Sequence, residues 1–219
     1  MMGRPIIDKN VLTYLRNHLS ETNNPKLLEI RREAQLEGIP IIPLETASFL
    51  QFLIKIKMPR KILEIGTAIG YSSLLMSIEN PVKSQIVTFE RNRIMYEKAI
   101  QNIDRLNKNE QIKIIYDDIA NYYNYFEDEE FDLIFLDGAK AKYFEQYEKL
   151  TPFLKYQGII LIDDIFQGGD TLKAEALIKH RAKGIHRNLN RLLEKVLSDK
   201  KTITSVLPLG DGLLMIQKN

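Results

Sequence analysis

The stretch Ile62-Leu63-Glu64-Ile65-Gly66-Thr67-Ala68-Ile69-Gly70-Tyr71-Ser72-Ser73 reads as an apolar strand, a glycine turn and a helix start carrying hydroxyls. Glycine at 66 and 70 lets backbone approach a ligand closely, and the first amides of the following helix are free to donate. The spacing is G-x-x-x-G. It differs from the G-x-G-x-x-G of dinucleotide sites and lacks the Gly-Lys-Ser/Thr of triphosphate loops.

On the C-terminal side, short apolar runs alternate with amphipathic stretches, the pattern of repeated βα units. Strands are predicted over Lys61 to Ile65, Gln85 to Phe89, Gln111 to Tyr116, Phe131 to Leu136, Gly158 to Ile162, Thr202 to Leu207 and Leu213 to Gln217. Helices are predicted over Tyr71 to Ser77, Arg91 to Leu106, Ile119 to Tyr125 and Ala141 to Phe153, with a basic one near Ile185 to Leu197. The turn residues Pro208-Leu209-Gly210-Asp211-Gly212 join the last two strands as a hairpin. On the N-terminal side, Asp8 can cap a helix carrying Val11, Leu12, Leu15 and Leu19, Pro25 opens a second that Gly38 ends, and Leu44 to Met58 forms a third. The expected fold is α/β: one domain, residues 1–219, with N-terminal helices over 1–58. A Rossmann-like, doubly wound core over 60–219 holds seven mostly parallel strands, the last of them antiparallel.

In such a sheet the residues just beyond the carboxyl ends of the strands share one crevice. Glu90 follows the second strand, where its two carboxylate oxygens can take both hydroxyls of a ribose. Asp117-Asp118-Ile119 follows the third, where an acid and a small apolar wall can meet an adenine amino group. Asp137 follows the fourth strand and Asp163-Asp164 the fifth, so these carboxylates can converge on one divalent ion. Asp also caps helices and opens turns after strands, and that reading stays open for each of them. A glycine loop with few anion-binding groups suits a nucleoside without phosphates, of which S-adenosyl-L-methionine is the obvious one.

The chain of 219 residues is 44% hydrophobic and 27% charged, ordinary for a soluble globular protein, and its apolar runs are too short to span a bilayer. The N-terminus, MMGRPIIDKN, has no apolar signal core, so a cytoplasmic location and no membrane partner are expected. The lack of cysteine excludes disulfides, thiolate metal sites and cysteine nucleophiles. The net charge of +2 is small, but basic residues gather between Lys173 and Lys201, among them Arg181, Lys183, Arg187 and Arg191. Such a run forms either a solvated helix face or a surface for phosphates.

From about Ile39 to the C-terminus these residues resemble the metal-dependent O-methyltransferases related to catechol and caffeoyl-coenzyme A methyltransferases. The family loop E-x-G-x-x-x-G-Y-S is matched by Glu64, Gly66, Gly70, Tyr71 and Ser72. The resemblance implies a ribose contact at Glu90 and metal ligands at Asp137, Asp163 and Asp164, with Mg2+ or Mn2+ as the ion. It also implies a general base at Lys140 and a backbone contact to the methionine part of the cofactor at Ile42. The expected cofactor contacts are Ile42, Glu64, Gly66, Thr67, Ser72, Glu90, Asp118, Ile119 and Asp137. Within the family, Asp137-Gly138-Ala139-Lys140, Asp163-Asp164-Ile165 and the basic region are most similar to bacterial enzymes that methylate 5-hydroxyuridine at the tRNA wobble position. Gly138 departs from the larger residue of other members.

Methyl transfer from a sulfonium needs an oxygen aligned behind the methyl carbon and made more anionic at neutral pH. Catechol offers two adjacent oxygens to a metal, and 5-hydroxyuracil offers a comparable pair. The basic region, with Arg181, Lys183, Arg187 and Arg191 as expected RNA contacts, tips the expectation toward the tRNA anticodon region. A small catechol-like or caffeoyl-CoA-like acceptor is the alternative. A noncatalytic RNA-binding module and a nicotinamide oxidoreductase are rivals that the glycine loop and the three acids disfavour. Apolar positions such as Leu12, Leu15 and Leu19 could pack a homodimer.

Overall fold

The computed structural model describes residues 7–127 and 129–219. Residues 1–6, on which part of the reading of the N-terminus rests, lie outside them. The strands β1 (Lys61–Ile65), β2 (Gln85–Glu90), β3 (Ile112–Tyr116), β4 (Phe131–Leu136), β5 (Leu154–Ile162), β6 (Thr202–Leu207) and β7 (Leu213–Lys218) form one sheet in the order β3-β2-β1-β4-β5-β7-β6. Strand β7 runs antiparallel to both of its neighbours, and the other pairings are parallel. The chain lays β2 and β3 to one side of β1 and then crosses back to place β4 on the other, which opens a crevice at that reversal.

Both faces of the sheet are covered, which is why its central strands are almost continuously apolar. Ile62, Leu133, Phe135 and Leu161 point into one core, packed under α2 (Pro25–Glu37), α3 (Leu44–Lys57), α4 (Tyr71–Glu79) and α5 (Arg93–Arg105). Leu63, Ile134, Ile160 and Leu214 point into the other, against α6 (Tyr143–Leu150), α7 (Lys183–Ser198) and the turns around Ile119 and Phe126. In α1 (Lys9–His18), Asp8 caps the first turn by accepting from the amides of Asn10 and Val11. Leu12 is buried within the chain and Leu15 and Leu19 are partly buried, while Val11 and Tyr14 are the exposed apolar positions of α1.

Three expected elements differ. Ile119 to Tyr125 is two short 3-10 turns, Ile119–Asn121 and Tyr123–Phe126, because Asp118 caps the amide of Ala120 and the chain breaks helical geometry at Tyr122, φ −122°. Helix α6 stops at Leu150, followed by a single 3-10 turn, Thr151–Phe153. Strand β5 begins at Leu154, earlier than Gly158, and its pairing with β4 shifts register between Phe131 and Leu133. The polar Lys155-Tyr156-Gln157 segment hides that first half from a reading based on apolar runs, and Gln157 adopts φ +58°.

Candidate active site

The carboxyl ends of the strands hold the site residues by extending the sheet's own hydrogen bonds. The Gly66 and Thr67 amides donate to the Phe89 carbonyl (3.0 and 3.2 Å), Asp137 to Ile65 (2.9 Å), and Asp163 to Leu136 (2.9 Å). Gly66 lies at φ +102°, and a Cβ there would overlap the Asp137 carbonyl, so the loop and the first acid touch backbone to backbone. Above them opens a cavity of about 680 Å³, lined by Gly66, Ala68, Glu90, Ile119, Asp137, Lys140, Asp163 and Asp164 among others. The glycine loop and the three acids therefore share one crevice, as their strand-end placement predicts.

The acid end is crowded with negative charge. The Asp164 amide donates to Asp163 Oδ1 (2.8 Å), Asp164 sits at φ +60°, and Lys140 Nζ donates to Asp164 Oδ2 (2.6 Å). Burial, then the charges of Asp163 and Asp164, raise the pKa of Asp137; burial, then Asp164, raises that of Asp163, with Lys140 opposing in both cases. Asp211, on the turn between β6 and β7, lines the same cavity, and burial raises its pKa against a 2.6 Å hydrogen bond from the Gly168 amide. Among the described residues no group of three or more His, Cys, Asp or Glu side chains is arranged to hold a metal ion. Asp137, Asp163 and Asp164 are nevertheless brought to one cavity wall, where Lys140 takes one oxygen of Asp164. The donors still have the all-oxygen chemistry that a hard divalent cation takes.

At the cofactor end the expected residues divide. Glu90 lines the cavity, and its carboxylate accepts from the amides of Ala68 (2.8 Å), Arg91 (2.8 Å) and Asn92 (2.7 Å). Ile42 and Ile119 line it as well. Glu64, Thr67 and Ser72 lie behind the loop and are absent from the wall. Glu64 accepts from Ser73 and from Thr88 Oγ1 (2.5 Å), and Thr88 Oγ1 is 2.5 Å from Thr67 Oγ1. Glu64, Thr67 and Ser72, expected as cofactor contacts, thus stand behind the loop in this structure, where the first two support it through Thr88. Asp118 lines the cavity with both oxygens engaged, Oδ1 by the Ala120 amide (3.0 Å) and Oδ2 by Arg91 Nη1 (2.9 Å).

The N-terminal helices close the wall, which the sequence reading missed. Arg16 of α1 makes two hydrogen bonds to the buried Glu45 carboxylate of α3 (3.0 and 2.9 Å). Arg31 of α2 donates through Nη1 to the Ile42 carbonyl (3.1 Å) and through Nε to Glu21 (2.6 Å) and Tyr71 Oη (3.1 Å), joining the Ile42 segment to the start of α4. No local signal marks these arginines in the sequence, because Glu45, Glu21 and the Ile42 carbonyl reach them from other segments. Gln146 of α6, also missed, lines the cavity and is 5% exposed.

The basic residues stand elsewhere. Arg187 pairs with Glu175 (2.5 Å), the Arg191 guanidinium lies 4.2 Å from the Phe144 ring centroid, and none of Arg181, Lys183, Arg187 or Arg191 lines the cavity. No helix among the described residues is long and apolar enough to cross a membrane.

Known proteins share this architecture. A caffeoyl-CoA O-methyltransferase of Populus kitakamiensis is 26% identical over 198 residues, spanning 86% of this chain and 82% of that one. A Staphylococcus aureus structure assigned as a caffeoyl-CoA O-methyltransferase superposes with a TM-score of 0.84 at 28% identity, covering 96% and 99% of the two chains. The SAH-bound Podospora anserina methyltransferase PaMTH1 shares the fold, with a TM-score of 0.83 at 23% identity and coverage of 96% and 94%. Residues 17–219 match the family model for O-methyltransferases, so the chain belongs to the O-methyltransferase family and is an S-adenosylmethionine-dependent enzyme.

Proposed function

We propose that the protein methylates a hydroxyl on a small acceptor bearing two adjacent oxygens, of catechol or caffeoyl-CoA type, with a divalent ion at Asp137, Asp163 and Asp164. The observation that carries this reading is the single cavity in which the glycine loop faces Lys140 and the three acids. Its volume, about 680 Å³, lies in the range of small-molecule sites and leaves room for an acceptor beside a nucleoside. Relatives named as caffeoyl-CoA O-methyltransferases support the acceptor class.

Asp137, Asp163 and Asp164 would hold the divalent ion, Mg2+ or Mn2+, which would supply Lewis-acid chemistry that makes the acceptor hydroxyl more acidic. Lys140 stands at the acid end with Nζ donating to Asp164; once that ammonium has given up one proton to solvent, the neutral amine can take the hydroxyl proton. Gly66 brings the loop backbone against Asp137, which fixes the distance between the cofactor cradle and the acids. Asp163, held by the Leu136 carbonyl, keeps its oxygens facing the same space.

A second reading, methylation of 5-hydroxyuridine at the tRNA wobble position, has one observation in its favour. Basic helix α7 packs beside the Lys140 turn, where the Phe144 amide donates to Asn188 Oδ1 (3.0 Å). One set of assays separates the two. Purified enzyme is incubated with labelled S-adenosylmethionine and either caffeoyl-CoA or tRNA bearing 5-hydroxyuridine. The expected result is rapid label transfer to caffeoyl-CoA, abolished by chelator and restored by Mg2+. Asp163→Ala should lower kcat/KM by about a thousandfold or more. Transfer that persists in chelator would refute the metal role, and transfer to tRNA alone would replace the small acceptor.

A further inference from the structure

Asp118, the acid expected to meet the adenine amino group, already accepts one hydrogen bond at each carboxylate oxygen, Oδ1 from the Ala120 amide and Oδ2 from Arg91. A ring amino group is met best by an acceptor that lines the cavity and has no partner to share it with.

Gln146 meets both conditions. It lines the cavity, it is 5% exposed, and its Oε1 is buried with no hydrogen-bond partner among the described residues. A buried amide oxygen without a partner costs free energy that a ligand donor would recover, so its persistence points to one. Tyr143, three residues earlier on α6, also has an unpartnered hydroxyl, but it is sealed in the core and does not line the cavity.

Placement agrees. The turns around Ile119 and Phe126 pack in one core with the inner face of α6. Gly138 and Ala139 add almost no side-chain volume to the wall they share with Gln146. A carboxamide suits adenine because its oxygen accepts from the amino group while its nitrogen donates to the adjacent ring nitrogen.

We infer that Gln146 is the specificity-determining contact for the adenine of S-adenosylmethionine, in place of Asp118. The inference rests on the cofactor assignment and not on which acceptor is methylated. Its test is calorimetry with S-adenosylhomocysteine and with the analogue whose purine lacks the amino group, so no turnover is needed. The wild type should prefer S-adenosylhomocysteine by about tenfold, the worth of one well-made hydrogen bond. Gln146→Leu should bind both ligands alike, to within about twofold, by losing affinity for the aminated one. Gln146→Glu, which keeps an acceptor oxygen, and Asp118→Ala, which removes both acceptors of Asp118, should each retain the preference. If folded Gln146→Leu keeps the full preference, or folded Asp118→Ala loses it, the assignment to Gln146 is overturned while the cofactor assignment stands. A wild type that binds neither ligand would overturn both.

Discussion

Gly66 is the position at which cofactor cradle and acid group are joined. Its φ of +102° is strained for any L side chain, and an added Cβ would press on the carbonyl of Asp137, a backbone atom that cannot swing aside. Gly66→Ala should therefore cost about 2–3 kcal/mol in stability, a fall of roughly 5–10 °C in Tm for a domain of this size. It should also push Asp137 away from the loop, so the thermal shift produced by saturating S-adenosylhomocysteine should shrink. A variant with wild-type Tm and an undiminished ligand shift would show that the two strand ends are not in backbone contact. The need for glycine here was legible in the sequence, because a strand, a turn and a helix start in one short segment dictate it locally. The engagement of Asp118 by Arg91, and the burial of Glu64, Thr67 and Ser72 behind the loop, were not. Those depend on neighbours brought by other strands, and strand-end order says which residues share a crevice without saying which way each side chain turns.

Strands β1, β4 and β5 are pinned together at the end away from the site by one carboxylate. Asp132 Oδ2 accepts from the amides of Arg60 and Lys61 (both 2.8 Å), and Oδ1 accepts from Lys155 Nζ (2.9 Å). Burial opposes its ionisation, but the Lys155 hydrogen bond and the two amides outweigh burial and lower its pKa. A carboxylate with a lowered folded-state pKa adds stability above its unfolded value, near 3.9, and loses it as pH falls through the folded value. Asp132→Asn should thus be less stable than wild type by about 1 kcal/mol at pH 7, a modest figure because water still screens this group. The gap should close below about pH 4, as urea unfolding at several pH values will record. A gap that is constant with pH would mean that the amide replaces the carboxylate poorly for steric reasons alone. The same elements show where periodicity is informative. The apolar runs of β1, β2 and β4 were legible because both faces are buried, whereas the first half of β5 carries Lys155, Tyr156 and Gln157 and escaped notice. The Ile119 to Tyr125 segment has helix-like spacing but is too short between its Asp118 cap and the Tyr122 break to make an α-helix.

Charge is distributed over the molecule so that the acids line the cavity while the basic tract of α7 and the turn before it faces outward. Arg187 is neutralised by Glu175, Arg191 rests on Phe144, and the exposed Arg181 and its neighbour Lys183 stand outside the cavity wall. A small acceptor that enters the cavity meets none of these four. The double variant Arg181→Glu, Lys183→Glu should consequently keep kcat/KM for an uncharged catechol within about threefold of wild type, with the surface field as the only source of a difference. That difference should shrink as salt rises from about 50 to 200 mM, because screening shortens the reach of surface charges to roughly a Debye length of 8–10 Å. A polyanionic acceptor would behave in the opposite way. Each phosphate left without its basic partner would reduce the slope of log affinity against log salt by nearly one unit, and the variant's defect would be large at low salt. Measured at both salt concentrations with both acceptors, a steep loss confined to tRNA turnover would transfer the basic helix from a solvated face to a working surface, and would carry the acceptor assignment with it.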